Sequence, residues 1–151
     1  MRSFRLLFLA AATLFLMPVS AWAKTCELSI EGNDQMQFNK SELVVGADCD
    51  KVKLTLEHTG DLGAQQMGHN WVLTQTADYQ DVANKGMSAG AGNDYVAPGD
   101  DRVLASTEVI GGGSTTSVTF DAATLESGGD YTYFCSFPGH SAAMKGKLVV
   151  K

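Results

Sequence analysis

From Lys51 to His58 the chain reads KVKLTLEH, with Val52, Leu54 and Leu56 on one face and Lys51, Lys53, Thr55 and Glu57 on the other. Strict alternation of this kind marks a strand with one dry face and one wet face. The same period of two runs through Cys26, Leu28 and Ile30, through Val118 and Phe120, and through Leu148 and Val150. NWVLTQ and DYTYFC are rich in β-branched and aromatic residues and also read as strands. Turn clusters separate them: GND at 32–34, TGDLG at 59–63, GGG at 111–113 and SGGD at 127–130. Short alternating strands punctuated in this way predict an all-β antiparallel sandwich or barrel. The chain shows no internal repeat and no long linker.

One interval departs from the pattern. In ADYQDVANKGMSAGA, residues 77–91, Tyr79, Val82 and Ala83 fall at helical spacing. The reading is a short helix interrupted at Gly86, serving as a packing flap over one side of the sandwich; a functional lid is the other reading.

The N-terminus reads differently again. Arg2 and Arg5 precede an apolar run from Leu6 to Met17, and Ala21-Trp22-Ala23 supplies a small-residue cleavage site. This is the layout of a secretory signal peptide, residues 1–23, cut after Ala23. The apolar run is about a dozen residues, short of the roughly 20 that span a bilayer. Residues 24–151 are then one domain, long enough to bury a core without a metal to hold it together. Removing Arg2 and Arg5 leaves nine basic residues against 17 acidic, a net charge of −8. Such a chain has no electrostatic footprint for nucleic acid or an anionic membrane.

Export changes how the three cysteines read. An odd count in an oxidising compartment implies one pair and one thiol left over. Cys26 and Cys49 bracket the N-terminal strands, and a bond between them would close a loop of about two dozen residues, worth roughly 3 kcal/mol on the chain-entropy model. Cys135 is then the thiol that needs a role. It sits in YFCSFPGHSAAMKG, where four residues separate it from His140 and three more precede Met144. Phe137-Pro138-Gly139 reads as a turn, so one loop can bring thiolate, imidazole and thioether to a common centre. Two soft sulfurs and an imidazole suit copper; zinc accepts Cys and His, but a neutral thioether is a poor zinc ligand. A second imidazole must come from elsewhere. His69 follows Gly68, which allows close backbone approach, and begins a strand with Trp71 on the same face. His58 continues the apolar face of its strand and reads as a core histidine.

Met67-Gly68-His69-Asn70-Trp71 together with Cys135-x4-His140-x3-Met144 resembles the cupredoxins, the type 1 blue copper proteins. The resemblance covers the whole exported chain, the N-terminal cysteine pair and the helical interval included, and it finds no departure at a ligand position. It implies a Greek-key β-sandwich of about eight strands with a short helical flap, residues 24–151 forming a plastocyanin-like copper-binding domain. Cys135, His69 and His140 would form the plane around one copper ion, with Met144 a long axial ligand and the Gly68 carbonyl opposite. Backbone N–H groups of Asn70 and Phe137 would reach the Cys135 sulfur, and the Asn70 side chain would tie the two ligand loops together. Leu62, Met67, Met87, Phe137, Pro138 and Gly139 would form an apolar collar around His140, where electrons enter and leave. The implied function is one-electron transport in the periplasm, by a monomer serving redox proteins such as c-type cytochromes or periplasmic reductases. A copper-buffering protein is the alternative, although the six methionines are scattered rather than gathered in tracts. An enzyme is disfavoured: oxidases of related fold need further copper sites, and no separate His-plus-acid set stands beside Cys135 for hydrolysis.

Overall fold

The computed structural model describes residues 23–151, so the predicted signal segment lies outside the described residues apart from Ala23. Nine strands are present among them: β1 (Thr25–Asn33), β2 (Gln37–Phe38), β3 (Glu42–Val45), β4 (Lys51–His58), β5 (Val72–Gln75), β6 (Ala105–Ser106), β7 (Thr115–Asp121), β8 (Tyr131–Phe134) and β9 (Lys145–Val150). They form two sheets, ordered β2-β1-β4-β7 and β3-β9-β8-β5-β6. A one-turn helix, α1 (Ala64–Met67), lies between β4 and β5, and α2 (Tyr79–Ala89) follows β5. This is the β-sandwich with a helical flap that the resemblance implies, with two of the nine strands only two residues long.

The alternating faces close on one another as their polarity requires. Val52, Leu54 and Leu56 are fully buried, and they meet Trp71, Leu73, Tyr133 and Leu148 from the other sheet in one core. Each such aliphatic side chain contributes roughly 1.5–3 kcal/mol by leaving water. The Trp71 ring stacks between Phe120 and Tyr133, at 6.2 and 6.1 Å.

Two features differ from the sequence reading. The sandwich is not wholly antiparallel: β1 runs parallel to β4, from Thr25 opposite Lys51 to Gly32 opposite His58, and β3 runs parallel to β9. Alternation says which face of a strand is dry but is silent on its neighbour. Here β3 joins the second sheet while β2 and β4 stay in the first. The helix also continues through Gly86 instead of breaking there. A Cβ at Gly86 would lie 2.1 Å from the Tyr95 carbonyl oxygen, so glycine is needed for close backbone approach. Tyr79, Val82 and Ala83 pack α2 onto Val72 and Phe134, which favours the packing flap over the lid.

The disulfide joins Cys26 to Cys49, stapling β1 to the loop before β4 at one end of the sandwich. Cys135 is free and buried at the other end.

Candidate metal centre

β8 ends at Phe134, and Cys135 is held at the start of the next loop by its N–H, which donates to the Met144 carbonyl at 3.0 Å. Within the loop His140 N–H donates to the Phe137 carbonyl at 3.0 Å, and Met144 N–H to the His140 carbonyl at 2.8 Å. These short-range bonds curl the chain so that its two ends and its middle face inward. The second contribution comes from the β4–β5 connection. His69 exchanges both backbone hydrogen bonds with Ile110, which fixes it against the loop between β6 and β7.

The result is a compact donor set. His69, Cys135 and His140 each offer one ligand atom within 4.8 Å of the others, and all three residues are buried. Cys135 Sγ lies 3.9 Å from His69 Nδ1, 3.6 Å from His140 Nδ1 and 3.9 Å from the Gly68 carbonyl oxygen. Met144 is fully buried, and its methyl carbon and the His69 ring both crowd the position a side chain on Gly32 would take.

Each ring nitrogen has a defined task. His69 Nε2 lies 2.9 Å from the Asn33 carbonyl, which only accepts, so Nε2 carries the proton and Nδ1 turns a lone pair toward the sulfur. His58 is fully buried and stacks on His69 at 4.3 Å. Its Nε2 donates to the Met67 carbonyl at 2.8 Å, and its Nδ1 accepts the Gly60 N–H at 3.1 Å. Both nitrogens are engaged, so His58 is the core histidine its position in β4 suggested. His140 differs from both. Its Nε2 has no protein partner among the described residues, and the residue, 3% exposed, lies just behind the exposed Pro138 and Gly139 of its own loop.

Burial governs the protonation states. It pushes the Cys135 thiol up to about 12, against the pull of the Asn70 and Phe137 N–H groups that favour the thiolate. It lowers His140 to about 4, helped by the positive charge that His69 and His58 would carry, and it lowers His69 as well. The site therefore presents neutral imidazoles and a thiol whose proton a metal displaces. None of the three donors is a carboxylate, and the set suits a soft or borderline ion, copper above all.

The chain matches the family model described as copper binding proteins, plastocyanin/azurin family, over residues 24–151. The chain belongs to the plastocyanin/azurin family of copper binding proteins. It is 55% identical over 126 residues to an azurin of Bordetella pertussis, covering 83% of this chain and 84% of that protein. It is 46% identical over 142 residues to an azurin of Pseudomonas aeruginosa, covering 94% and 96%. The solved azurin Az-iso2 from the obligate methylotroph Methylomonas sp. strain J superposes with a TM-score of 0.81 at 44% identity, over 83% of this chain and 98% of that one. The chain is accordingly a blue copper electron-transfer protein and not an enzyme, with one copper ion as its cofactor and redox proteins as its partners.

Asn70 ties this family's two ligand loops together here through three hydrogen bonds. Its side-chain oxygen accepts the Ser136 N–H at 2.9 Å, and its amide donates to Ser136 Oγ and the Asp94 carbonyl, both at 2.8 Å. Phe137 leans on His140 with ring centroids 4.7 Å apart. Pro138, Gly139 and Met87 are exposed, and Leu62, Met67 and Phe137 are half-buried. Four residues at the site escaped the sequence reading. Gly32 leaves room for the His69 ring, a Cβ there falling 2.7 Å from Cδ2; Asn33 orients His69; Asp94 and Ser136 complete the Asn70 network. None of the four roles left a local signal: GND at 32–34 read only as a turn, and Gly32 and Asn33 close β1 instead.

Proposed function

We propose that residues 24–151 form a periplasmic carrier of single electrons whose copper is held by His69, Cys135 and His140, with Met144 and the Gly68 carbonyl as weaker contacts. Copper, when bound, supplies a one-electron couple between Cu(I) and Cu(II). The chain's own residues do the rest. His69 is locked by the Asn33 carbonyl and the Ile110 backbone, and the Cys135 loop by the Asn70 side chain, so the donors have little freedom to move between the two states. Full burial of Cys135 and Met144 excludes water. The N–H groups of Asn70 and Phe137 stabilise negative charge on sulfur.

The observation that carries this reading is the convergence of three buried donors, His69, Cys135 and His140, the last with an outer nitrogen that no protein group engages among the described residues. Leu62, Met67, Met87, Phe137, Pro138 and Gly139 form the apolar collar of this reading, and the Phe137 ring against His140 supports that imidazole as the route for electrons. The family match spans residues 24–151, the part that follows the predicted signal segment. An exported monomer would meet c-type cytochromes or periplasmic reductases. Adding Cu(II) to the purified protein tests the centre: an intense visible band from thiolate-to-copper charge transfer is expected, and a colourless product overturns the reading. Met144→Leu tests the axial role. Copper should remain bound and blue with a raised potential, and an unchanged potential would leave Met144 as packing only.

A further inference from the structure

The loops at the metal end of the sandwich are unusual in their charge. Residues 34–36, 59–71, 90–95, 107–114 and 135–144 contain Asp34, Asp61, Asp94 and Glu108, and no lysine or arginine. Among the described residues none of the four carboxylates pairs with a lysine or arginine; only His58 comes within 3.9 Å of Asp34. The nearest base along the chain is Lys145, whose ammonium lies over the Tyr79 ring on the flap side.

A second feature stands beside the first. A recess of about 350 Å³ opens next to Phe137 and is lined by Ala64, Gln65, Asp94, Tyr95 and Val109. Its aromatic walls meet edge to face, Tyr95 on Phe137 at 5.3 Å. One Asp94 oxygen accepts the Val109 N–H at 2.9 Å, and the other has no hydrogen-bond partner among the described residues. Aromatic walls below a free carboxylate oxygen suit a long cationic side chain, with its stem on the rings and its charge at the rim.

We propose that this end docks a redox partner with a positively charged contact face, and that an arginine or lysine of that partner seats in the Asp94–Tyr95–Phe137 recess. The proposal rests on the electron-carrier reading, because the collar around His140 is what makes this end the meeting place. The apolar collar permits close approach of small area, as electron-transfer encounters require, while the acidic rim chooses the sign of the partner and speeds encounter.

Two probes test it on the isotope-labelled protein, with Cu(I) bound and without metal. Hexaamminechromium(III), a paramagnetic trication, should broaden amide signals of residues 34–36, 59–67 and 107–113, whereas hexacyanochromate(III) should not. Asp61→Asn with Glu108→Gln should weaken that broadening on the order of tenfold at 0.01 M ionic strength and a few-fold at 0.1 M. An N-acetylated tri-arginine peptide should shift the Tyr95 ring and Val109 amide signals, and Asp94→Asn should weaken it at least threefold. Asn keeps the Val109 bond and tolerates the left-handed backbone at this position, where φ is 52°. Broadening centred elsewhere, or a tri-arginine peptide that leaves Tyr95 and Val109 unmoved, overturns the proposal. Cation preference in a protein that stays colourless with Cu(II) would defeat the carrier reading instead, so the two failures are distinct.

Discussion

At one end of the sandwich Lys24 faces Asp48, Lys51 faces Asp121 and Lys147 faces Asp130, all exposed, and the Cys26–Cys49 bond lies among them. At the other end the connecting loops hold no lysine or arginine, and their order comes from an asparagine amide, main-chain carbonyls, imidazole nitrogens and the Asp34 and Asp94 carboxylates, which accept main-chain N–H groups rather than pair with cations. Exposed ion pairs of the first kind are worth about 0–1 kcal/mol each, so the covalent staple matters more there. The second kind is buried, where each hydrogen bond is costly to leave unmade. One end resists unfolding cheaply and tolerates motion. The other keeps donors dry and fixed, and leaves its surface charge uncompensated for a partner to meet.

If the ends are specialised in this way, substitutions should separate colour from stability. The largest effect belongs to Cys135→Ser, which replaces the soft thiolate with a hard hydroxyl. The blue band should vanish entirely while the far-ultraviolet circular dichroism keeps its β signature. A variant that stays blue would remove Cys135 from the centre.

At the opposite end, replacing Cys26 and Cys49 by Ser should lower the unfolding free energy by about 3 kcal/mol on the chain-entropy model and leave the visible spectrum unchanged. Denaturant titration beside absorption spectroscopy measures both. A shifted band would show that the staple reaches the metal end. Asn70→Ala comes next in size. It strips partners from the buried Ser136 N–H and the Asp94 carbonyl, at about 2 kcal/mol. Hydrogen exchange should quicken at Cys135–Met144 more than at β1. Equal quickening at both ends would mean that Asn70 supports the whole sandwich and not its own loops.

What could be read beforehand follows the same division between near and far in sequence. Val52, Leu54 and Leu56 announce a dry face because a strand repeats every two residues, and Cys135, His140 and Met144 announce a loop-borne centre because they lie within ten positions. The pairing of β1 with β4 and of β3 with β9 in parallel carried no such local mark. Neither did Asn33, Asp94 and Ser136, which reach the site through a carbonyl, a left-handed turn and a small hydroxyl. Gly86 looked like a helix breaker because its reason, the Tyr95 carbonyl, comes from another segment. Residue type reveals donors; contacts made across the fold reveal what aims them.

The effect that is smallest per step is a pH dependence at the metal end. Burial lowers His140 to about 4 and lowers His69, so the folded metal-free protein holds these imidazoles neutral. The unfolded chain protonates them near the ordinary value of about 6.5. Between roughly pH 6.5 and 4 the unfolded state therefore binds more protons than the folded state, and stability rises with pH. Lowering pH through this window should cost the metal-free protein about 1.4 kcal/mol per unit for each imidazole held neutral, and below about 4 the His140 contribution should be spent. Copper occupies the same lone pairs and displaces the Cys135 proton, so the folded loaded protein takes up no proton at these groups, and its slope should be at least as steep and continue below pH 4 while the ligands stay bound. Denaturant midpoints from pH 7 to below pH 4, with and without copper, measure the difference. A metal-free slope that runs on below pH 4 alongside the loaded one would mean that these imidazoles do not set the acid sensitivity, and that the carboxylates of the opposite end do.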